Sequence, residues 1–169
     1  VPWYSDRSSV TTVVIEKGVT SIGNNAFYGC SSLAEAELPE GIASIGSSAF
    51  QNCSSLTAVE LPEGIADIGS SAFQNCSSLV TVKLPESLTT LSNYAFRGCT
   101  SLAEVRIPSS LTSVGGSSVF RDCTSLTRVV MGSGMSAVPA NICRDMTALT
   151  TVEYEEGVNI TSIGNSAFY

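Results

Sequence analysis

Apolar residues recur along this chain at an almost constant spacing of 23 residues, with polar residues filling the intervals. Three columns show the spacing most clearly: Phe27, Phe50, Phe73, Phe96 and Phe120; Cys30, Cys53, Cys76, Cys99 and Cys123; Leu33, Leu56, Leu79, Leu102 and Leu126. A constant period of about 20–50 residues is typical of solenoid proteins, because each repeat buries its apolar residues only against its neighbours. The sequence therefore predicts a stack of similar turns.

The polar and apolar positions inside one repeat predict its secondary structure. Val59 and Leu61 are expected to point inward and Glu60 outward, since alternate residues of a strand face opposite sides. Pro62–Gly64 ends the strand, because proline cannot donate a ladder hydrogen bond and glycine permits a positive φ. Ala49–Cys53 predicts a single helical turn. Each repeat is therefore predicted to hold one short parallel strand, with a helical turn and loops on the opposite side.

The regular repeat breaks down towards the ends of the chain. The first unit is incomplete, and the sixth carries Cys143 in the phenylalanine column and Met146 in the cysteine column. One residue is inserted within Gly115–Val119 and two within Glu155–Ser162. Counting partial units, we expect about seven turns in a single solenoid over residues 1–169. Because the sequence starts and stops inside repeats, we expect it to be a fragment of a longer array.

One of the most regular repeats in the chain resembles a known family of repeats. Residues 45–62 read Ile-Gly-Ser-Ser-Ala-Phe-Gln-Asn-Cys-Ser-Ser-Leu-Thr-Ala-Val-Glu-Leu-Pro. This resembles the BspA-type leucine-rich repeats of bacteria, whose signature is Ile-Gly-x-x-Ala-Phe-x-x-Cys-x-x-Leu-x-x-Val-x-Leu-Pro. The resemblance covers about Val10 to Phe168, and Pro2–Ser9 resembles the segment that commonly precedes such arrays.

The resemblance implies a β-rich leucine-rich-repeat solenoid with a parallel strand ladder on its concave face. It also implies a secreted or surface-anchored bacterial protein, outside the cell, that takes part in adhesion and binds other proteins, host matrix proteins among them. The family has no fixed functional motif, so the resemblance assigns no site residues. Cys143, Met146 and the insertions depart from the family pattern near the C-terminal end.

Composition narrows the possible functions. The chain has 8 Lys+Arg against 15 Asp+Glu, a formal net charge of −7, which does not fit nucleic-acid binding. It contains no histidine, which excludes Ser-His and Cys-His nucleophile pairs and His-ligated zinc. The sequence contains no uninterrupted apolar run of about 18 residues, which a transmembrane helix would need. Val1–Val10 has no signal-peptide pattern. We therefore expect no catalytic residue, cofactor or metal site, and a monomeric protein.

The six cysteines allow three interpretations: a disulfide framework, a metal site or buried thiols. Five of them form one column, and Met146 continues that column as an apolar filler that cannot form a disulfide. No two cysteines have Cys-x-x-Cys spacing, which argues against zinc. We expect buried thiols, with Cys123 and Cys143 as the pair best placed for any bridge.

A column of carboxylates follows the strands. Glu40, Glu63 and Glu86 share one turn position, and Glu155 and Glu156 lie near the C-terminal end. Such a column could form a calcium ladder or an acid–base pair. No segment supplies several converging oxygen ligands, so we expect a solvated rim.

The outward strand positions are the best candidates for a binding site. Eight charged residues occupy them: Glu35, Glu37, Glu60, Lys83, Glu104, Arg106, Arg128 and Glu153. Charge pairing between neighbouring strands, such as Glu60 with Lys83, is the structural alternative, at about 0.2–1 kcal/mol per pair. Two nearly identical repeats, Leu38–Glu60 and Leu61–Lys83, differ at four positions, and three of these lie in or beside the strand. This divergence favours a surface that recognises a binding partner.

The sequence thus predicts a non-enzymatic module that binds a protein or glycan ligand through its concave strand face. A structural stalk or spacer without a ligand of its own is the alternative. An enzyme, such as one that acts on glycans, is the third class, and the absence of histidine and of a catalytic motif argues against it.

Overall fold

The chain winds through about six stacked turns in a computed structural model that describes residues 4–111, 113–115, 118–133 and 135–169. In the described residues, the first strand of each turn is three or four residues long: β1 Thr12–Val14, β3 Glu35–Glu37, β5 Ala58–Glu60, β7 Thr81–Lys83, β9 Glu104–Ile107, β11 Arg128–Met131 and β13 Thr151–Tyr154. The second strand is two or three residues long: β2 Ser21–Ile22, β4 Ser44–Ile45, β6 Asp67–Ile68, β8 Thr90–Ser92, β10 Ser113–Gly115, β12 Ala137–Val138 and β14 Ser162–Ile163. A 3₁₀ helix, Tyr4–Ser9, precedes them.

Both sets of strands form parallel ladders in the register that the 23-residue repeat predicts. Val59 pairs with Val82 in the first set, and Ile45 pairs with Ile68 in the second. The first set forms two sheets, β1-β3-β5-β7 and β9-β11-β13. The second set forms the sheets β2-β4-β6-β8-β10 and β12-β14. The predicted parallel ladder is confirmed. The second set of strands was not predicted from the sequence.

The expected helical turns do not form. Within the described residues the segment after each short strand is a run of tight turns, and the 3₁₀ helix is the only helix. Ser48 and Asn52 have φ values of 57° and 63°, a left-handed conformation that interrupts a right-handed helix. The amide of Phe50 donates to the carbonyl oxygen of Ala72 in the next turn at 2.7 Å. Bonding between turns therefore replaces bonding within a helix.

The expected count of about seven turns is likewise not confirmed. From β1 to β13 the chain completes about six turns, and β14 belongs to a partial turn that follows. Parts of two sequence features, the inserted residue within Gly115–Val119 and the N-terminal segment Pro2–Ser9, lie outside the described residues.

A continuous apolar core runs along the stack from Ile22 to Ala167. Phe27, Phe50, Phe73, Phe96 and Phe120 stack on one another with ring centroids 5.1–5.6 Å apart. Their separation matches the spacing of parallel strands, about 4.8 Å, so each turn contributes one ring at the same height as its strand. The stack ends where Cys143, 2% exposed, takes the phenylalanine position.

Close contact between turns restricts one position after the short strands. A Cβ atom on Gly69 would lie 2.6 Å from the backbone nitrogen of Ser47 in the preceding turn. Real Cβ atoms essentially never approach other atoms so closely, so a side chain in place of Gly69 would force a local shift of the neighbouring turn. In the part of the chain that the structure describes, no helix has the length and apolar character needed to cross a bilayer.

Candidate functional site

The eight predicted site residues all lie on the outward side of the long strands. We call the outward side of β1, β3, β5 and β7 the N-terminal face, and that of β9, β11 and β13 the C-terminal face. In the first three-residue strands the pattern is regular: Glu35 and Glu37 are exposed on either side of the buried Ala36. The N-terminal face carries Glu35, Glu37, Glu60 and Lys83, and the C-terminal face carries Glu104, Arg106, Arg128 and Glu153.

A seam separates the two faces. Among the described residues no ladder joins β7 to β9, although the residues of both strands are described. The short strands continue past this point, because Leu91 of β8 pairs with Val114 of β10. The phenylalanine stack is also continuous there, with 5.6 Å between the ring centroids of Phe96 and Phe120. The predicted single strand face therefore consists of two sheets on one core.

Two adjoining grooves cross the N-terminal face, with volumes of about 550 and 520 Å³. They share Leu38, Ala58 and Glu60. Carboxylates line both of them: Glu35, Glu37, Glu40, Glu60 and Glu63. Lys83 lies at the end nearest the seam. The floor is partly apolar, because Leu38, Leu61 and Pro62 contribute to it.

The charges of the N-terminal face are not neutralised by neighbouring side chains. Within the described residues, Glu35, Glu37 and Glu60 form no ion pair, and neither does Lys83. The pairing of Glu60 with Lys83, the structural alternative to a binding face, is therefore absent, although the two are register partners in β5 and β7. This face presents carboxylates to solvent.

On the C-terminal face, Arg128 joins three strands. Its guanidinium donates to Glu153 through Nε at 3.1 Å and through Nη2 at 2.5 Å, and to Glu104 through Nη1. Glu153 raises the pKa of Arg128 above its usual value, with a further contribution from Glu104. The hydrogen bonds from Arg128 in turn lower the pKa of Glu153. The charges of these three residues are thus satisfied within the face.

Arg106 makes a second charge network at the edge of the same face. Its Nη2 donates to Glu155 Oε2 at 2.9 Å, its Nε bonds Glu155 Oε1, and its Nη1 bonds Glu86. Glu155 Oε2 also accepts the backbone N–H of Ser133 at 2.7 Å. The Arg106 hydrogen bonds and then the Ser133 amide lower the pKa of Glu155 to about 2. Arg106 therefore links its own turn to the preceding one through Glu86 and to a later one through Glu155.

Glu86 holds the other end of this network. Partial burial works against its ionisation, but the bonds from Arg106 and from Ser109 outweigh burial, and the pKa of Glu86 falls below its ordinary value. Its Oε2 accepts the amide and the hydroxyl of Ser109 at 3.3 and 3.1 Å. One turn earlier, Glu63 accepts the amide of Glu86 at 3.3 Å.

The carboxylate column is thus more than the solvated rim that the sequence predicted. Glu63 and Glu86 each accept a backbone amide of the following turn, and Glu155 accepts that of Ser133. The pairing of Glu86 and Glu155 with Arg106 was not predicted from the sequence. The position of both glutamates just after the end of a long strand, close to the outward Arg106, is the signal that could have indicated it.

The cysteine column is buried and contains no disulfide. All six cysteines lie in the described ranges and are free thiols, Cys123 and Cys143 included. Burial raises the pKa of Cys53 to about 12 and raises that of Cys99 well above its ordinary value. The Cys76 thiol donates to the carbonyl oxygen of Phe50 in the preceding turn at 3.2 Å. The column therefore adds a hydrogen bond between turns, which Met146 cannot supply.

Across the described part of the chain, no three His, Cys, Asp or Glu side chains converge in a way that could hold a metal ion.

Comparison with known proteins identifies relatives of this repeat. Residues 3–117 and 45–169 match the family model described as a BspA type leucine-rich repeat region, with six copies. No curated protein sequence matches the chain.

Solved structures of leucine-rich repeat proteins are similar over most of the chain. A leucine-rich repeat protein of T. pallidum is 33% identical, with a TM-score of 0.76, covering 90% of this chain and 72% of that one. A leucine-rich cell surface protein of Faecalibacterium prausnitzii is 22% identical, with a TM-score of 0.50, covering 86% and 60%. The pneumococcal vaccine antigen PcpA is 20% identical, with a TM-score of 0.58, covering 91% and 44%. The last two comparisons concern the fold alone.

Proposed function

Because the chain belongs to the BspA type leucine-rich repeat family, we propose that it is a non-enzymatic module that binds a protein or glycan ligand through its strand surface. The binding site is the N-terminal face, not the whole length of the long strands. Candidate ligands include proteins of a host matrix. The module acts as a monomer, outside the cell or at the cell surface.

The observation that carries the proposal is the contrast in free surface between the two faces. The grooves of about 550 and 520 Å³ lie on the N-terminal face, where the side chains of Ala58 and Thr81 leave room between the carboxylates. Glu35 and Glu60 keep their hydrogen-bonding capacity for a partner, because no neighbouring cation engages them. A concave surface with free polar groups is the usual character of a ligand site.

The C-terminal face supports the spacer role as a second candidate function for its part of the chain. Arg106 and Arg128 are each engaged by two carboxylates of other turns. A ligand that used these groups would first have to break ion pairs between turns. Such a region stiffens an array and holds the N-terminal face at a distance from its point of attachment.

The proposed location rests on family likeness. The similar structure from Faecalibacterium prausnitzii is named a cell surface protein. Fractionation of the source cells, with surface labelling of intact cells, tests this location directly.

The experiment for binding combines a ligand screen with a blocked face. The purified chain is screened against a panel of matrix proteins and glycans, and each ligand found is measured again with Ala58→Tyr/Thr81→Tyr. These exposed strand residues accept tyrosine readily, and the two rings fill the groove without changing net charge. The matched control is Ala43→Tyr/Ser70→Tyr, at exposed positions that flank the short strands β4 and β6.

We expect the blocked variant to lose binding and the control to keep it, with both melting close to the parent temperature. Equal binding by the parent and the blocked variant would remove the N-terminal face as the site. If no ligand in the panel binds the chain, while the chain still stiffens a fusion between two reporter domains, the spacer role takes its place.

A further inference from the structure

The grooves of the N-terminal face combine an acidic lining with a partly apolar floor, and this combination favours one kind of partner. Their lining carries the carboxylates of Glu37, Glu40 and Glu60 above a floor that includes Leu38 and Pro62. We propose that the N-terminal face binds an extended, lysine- or arginine-rich segment of a partner protein. This inference rests on the proposed function of the same face and names the chemistry of its ligand.

Charge complementarity is the first argument. Glu37 and Glu60 occupy the same outward position in neighbouring strands, and neither has a cation beside it in the structure. Like charges on neighbouring strands repel each other. A bound cation that lies between them removes that repulsion and replaces their solvent contacts with charge-assisted hydrogen bonds.

The C-terminal face supplies an internal comparison. It places Arg128 between Glu104 and Glu153, so that face already contains the arrangement that the N-terminal face lacks. A guanidinium supplied by a partner to Glu37 and Glu60 would likewise join carboxylates of two strands, in this case two that are direct neighbours. The C-terminal face thus contains the kind of ion pair that we assign to the complex of the N-terminal face.

The shape of the site favours an extended peptide segment. The two grooves adjoin and together contact residues of β3, β5 and β7. Strands lie about 4.8 Å apart, so the path across them is about 10 Å, and three to four residues of extended chain span it. The partly apolar floor contacts the aliphatic stems of lysine or arginine while their charged ends reach the rim.

Lys83 determines the orientation in which a basic segment binds. It lies at the seam end of the groove, without an ion pair, and opposes the binding of a cation there. The basic residues of the segment are therefore placed towards β3 and β5. Replacing Lys83 with glutamate would extend the acidic path by one strand.

The test uses the intact chain and short synthetic peptides of alternating lysine and threonine, with glutamate–threonine peptides of the same length for comparison. Affinity is measured by calorimetry for the parent, for Glu37→Gln/Glu60→Gln and for Lys83→Glu. The matched control is Asp67→Asn/Glu156→Gln, which removes the same charge at exposed positions away from the face. Each measurement is made at low and at high salt.

We expect the parent to bind only the basic peptide. The Glu37→Gln/Glu60→Gln variant should weaken binding about tenfold or more, whereas the control should weaken it by less than about twofold. Lys83→Glu should tighten binding, a gain that misfolding cannot produce. High salt should weaken all of these affinities, because exposed charges are screened over about 10 Å at 0.1 M salt.

Three results would overturn the inference. They are no binding of the basic peptide, equal losses in the double variant and in the control, and unchanged or weaker binding by Lys83→Glu. If the tyrosine-blocked variant loses its panel ligand while Glu37→Gln/Glu60→Gln keeps it, the face binds a ligand that is not cationic. In that case the proposed function stands and this inference fails.

Discussion

The two faces of this solenoid carry similar numbers of carboxylates and use them in opposite ways. On the N-terminal face, Glu37 and Glu60 point into solvent beside grooves. On the C-terminal face, Glu104 and Glu153 are both bound to Arg128. The backbone is the same parallel ladder in both. The difference teaches that the placement of cations among the carboxylates of neighbouring strands, more than the number of charges, decides whether a repeat surface is available to a partner.

The physical reason lies in the distance between neighbouring turns. An arginine in one strand can reach the strand on either side, about 4.8 Å away, so one guanidinium engages two carboxylates. Arg128 bonds a glutamate of each neighbouring strand: Glu104 is its register partner in β9, and Glu153 lies two residues beyond its register partner Thr151 in β13. Glu60 has Lys83 on one side and Glu37 on the other, and Lys83 forms no ion pair with it. A guanidinium with a carboxylate within reach on each neighbouring strand therefore produces a closed network.

The largest expected effect tests whether the faces share one core. Phe73 is fully buried between Phe50 and Phe96, at 5.2 Å from each. Phe73→Ala should reduce the free energy of unfolding by about 3–5 kcal/mol, because it removes a stacked ring and leaves a cavity. The partly exposed Phe168, at 43%, is the matched control and should cost much less when changed to alanine. Chemical denaturation measures both.

If the faces were independent, NMR signals of the C-terminal face would survive the Phe73→Ala change unaltered under mild denaturant. Loss of both faces together is the expected result, since the phenylalanine stack is continuous across the seam. A cost below about 1 kcal/mol would contradict the assigned packing.

A smaller effect distinguishes the paired arginine from the unpaired lysine. Arg106→Gln removes the cation shared by Glu86 and Glu155, and should lower the melting temperature by about 2 °C or more at low salt. Lys83→Gln removes an unpaired cation and should change the melting temperature by less than about 1 °C. Calorimetry at low salt and at about 1 M salt should show the difference shrinking as the charges are screened. Equal shifts would mean that the network contributes nothing to stability.

A still smaller effect compares one substitution on the two faces. Glu153→Gln breaks the bonds to Arg128 and should lower the melting temperature by about 1 °C. Glu60→Gln removes repulsion from Glu37 and should leave the temperature unchanged or raise it slightly. The two variants have the same net charge, so a difference in sign reports local surroundings. Identical shifts would remove the distinction between the faces.

Much of the fold followed from the sequence. The 23-residue period determined the parallel register, because equivalent apolar residues such as Val59 and Val82 can be buried together only when repeats stack in phase. The prediction of helical turns was wrong because the spacing of Phe50 and Cys53 also fits a run of tight turns. The left-handed residues Ser48 and Asn52 decide between the two. Asparagine is typical of that conformation, and Gly29 and Gly98 share its column, whereas serine gives no such signal.

Less of the site could be predicted. Outward positions followed from alternation, so all eight predicted residues lie where the sequence placed them. Which charges pair did not follow, because Arg106 bypasses the strands beside it and reaches Glu86 and Glu155 in the turns. Side chains this long choose among several carboxylates within reach, and that choice depends on local geometry. The seam between β7 and β9 also has no counterpart in the repeat pattern, which continues through it unchanged.

The last prediction uses acid to separate the network from the rest of the surface. Glu155 has a pKa of about 2 in the folded chain, against about 4.3 for an unperturbed glutamate in the unfolded chain. Between these values the unfolded state binds more protons, so a falling pH favours unfolding. The stabilising contribution of Glu155 is therefore complete above about pH 5 and is lost as the pH falls through 2.

NMR titration of the Glu155 carboxyl carbon should accordingly show a midpoint near 2 in the parent chain. Arg106→Gln should return the midpoint towards 4.3, leaving only the smaller effect of the Ser133 amide, since the guanidinium is the principal cause of the shift. Glu155→Gln should also flatten the dependence of stability on pH in that window. A parent midpoint near 4.3 would mean that Arg106 does not hold Glu155 in solution. The C-terminal face would then offer free carboxylates as the N-terminal face does, and the reason for assigning the ligand to only one of them would disappear.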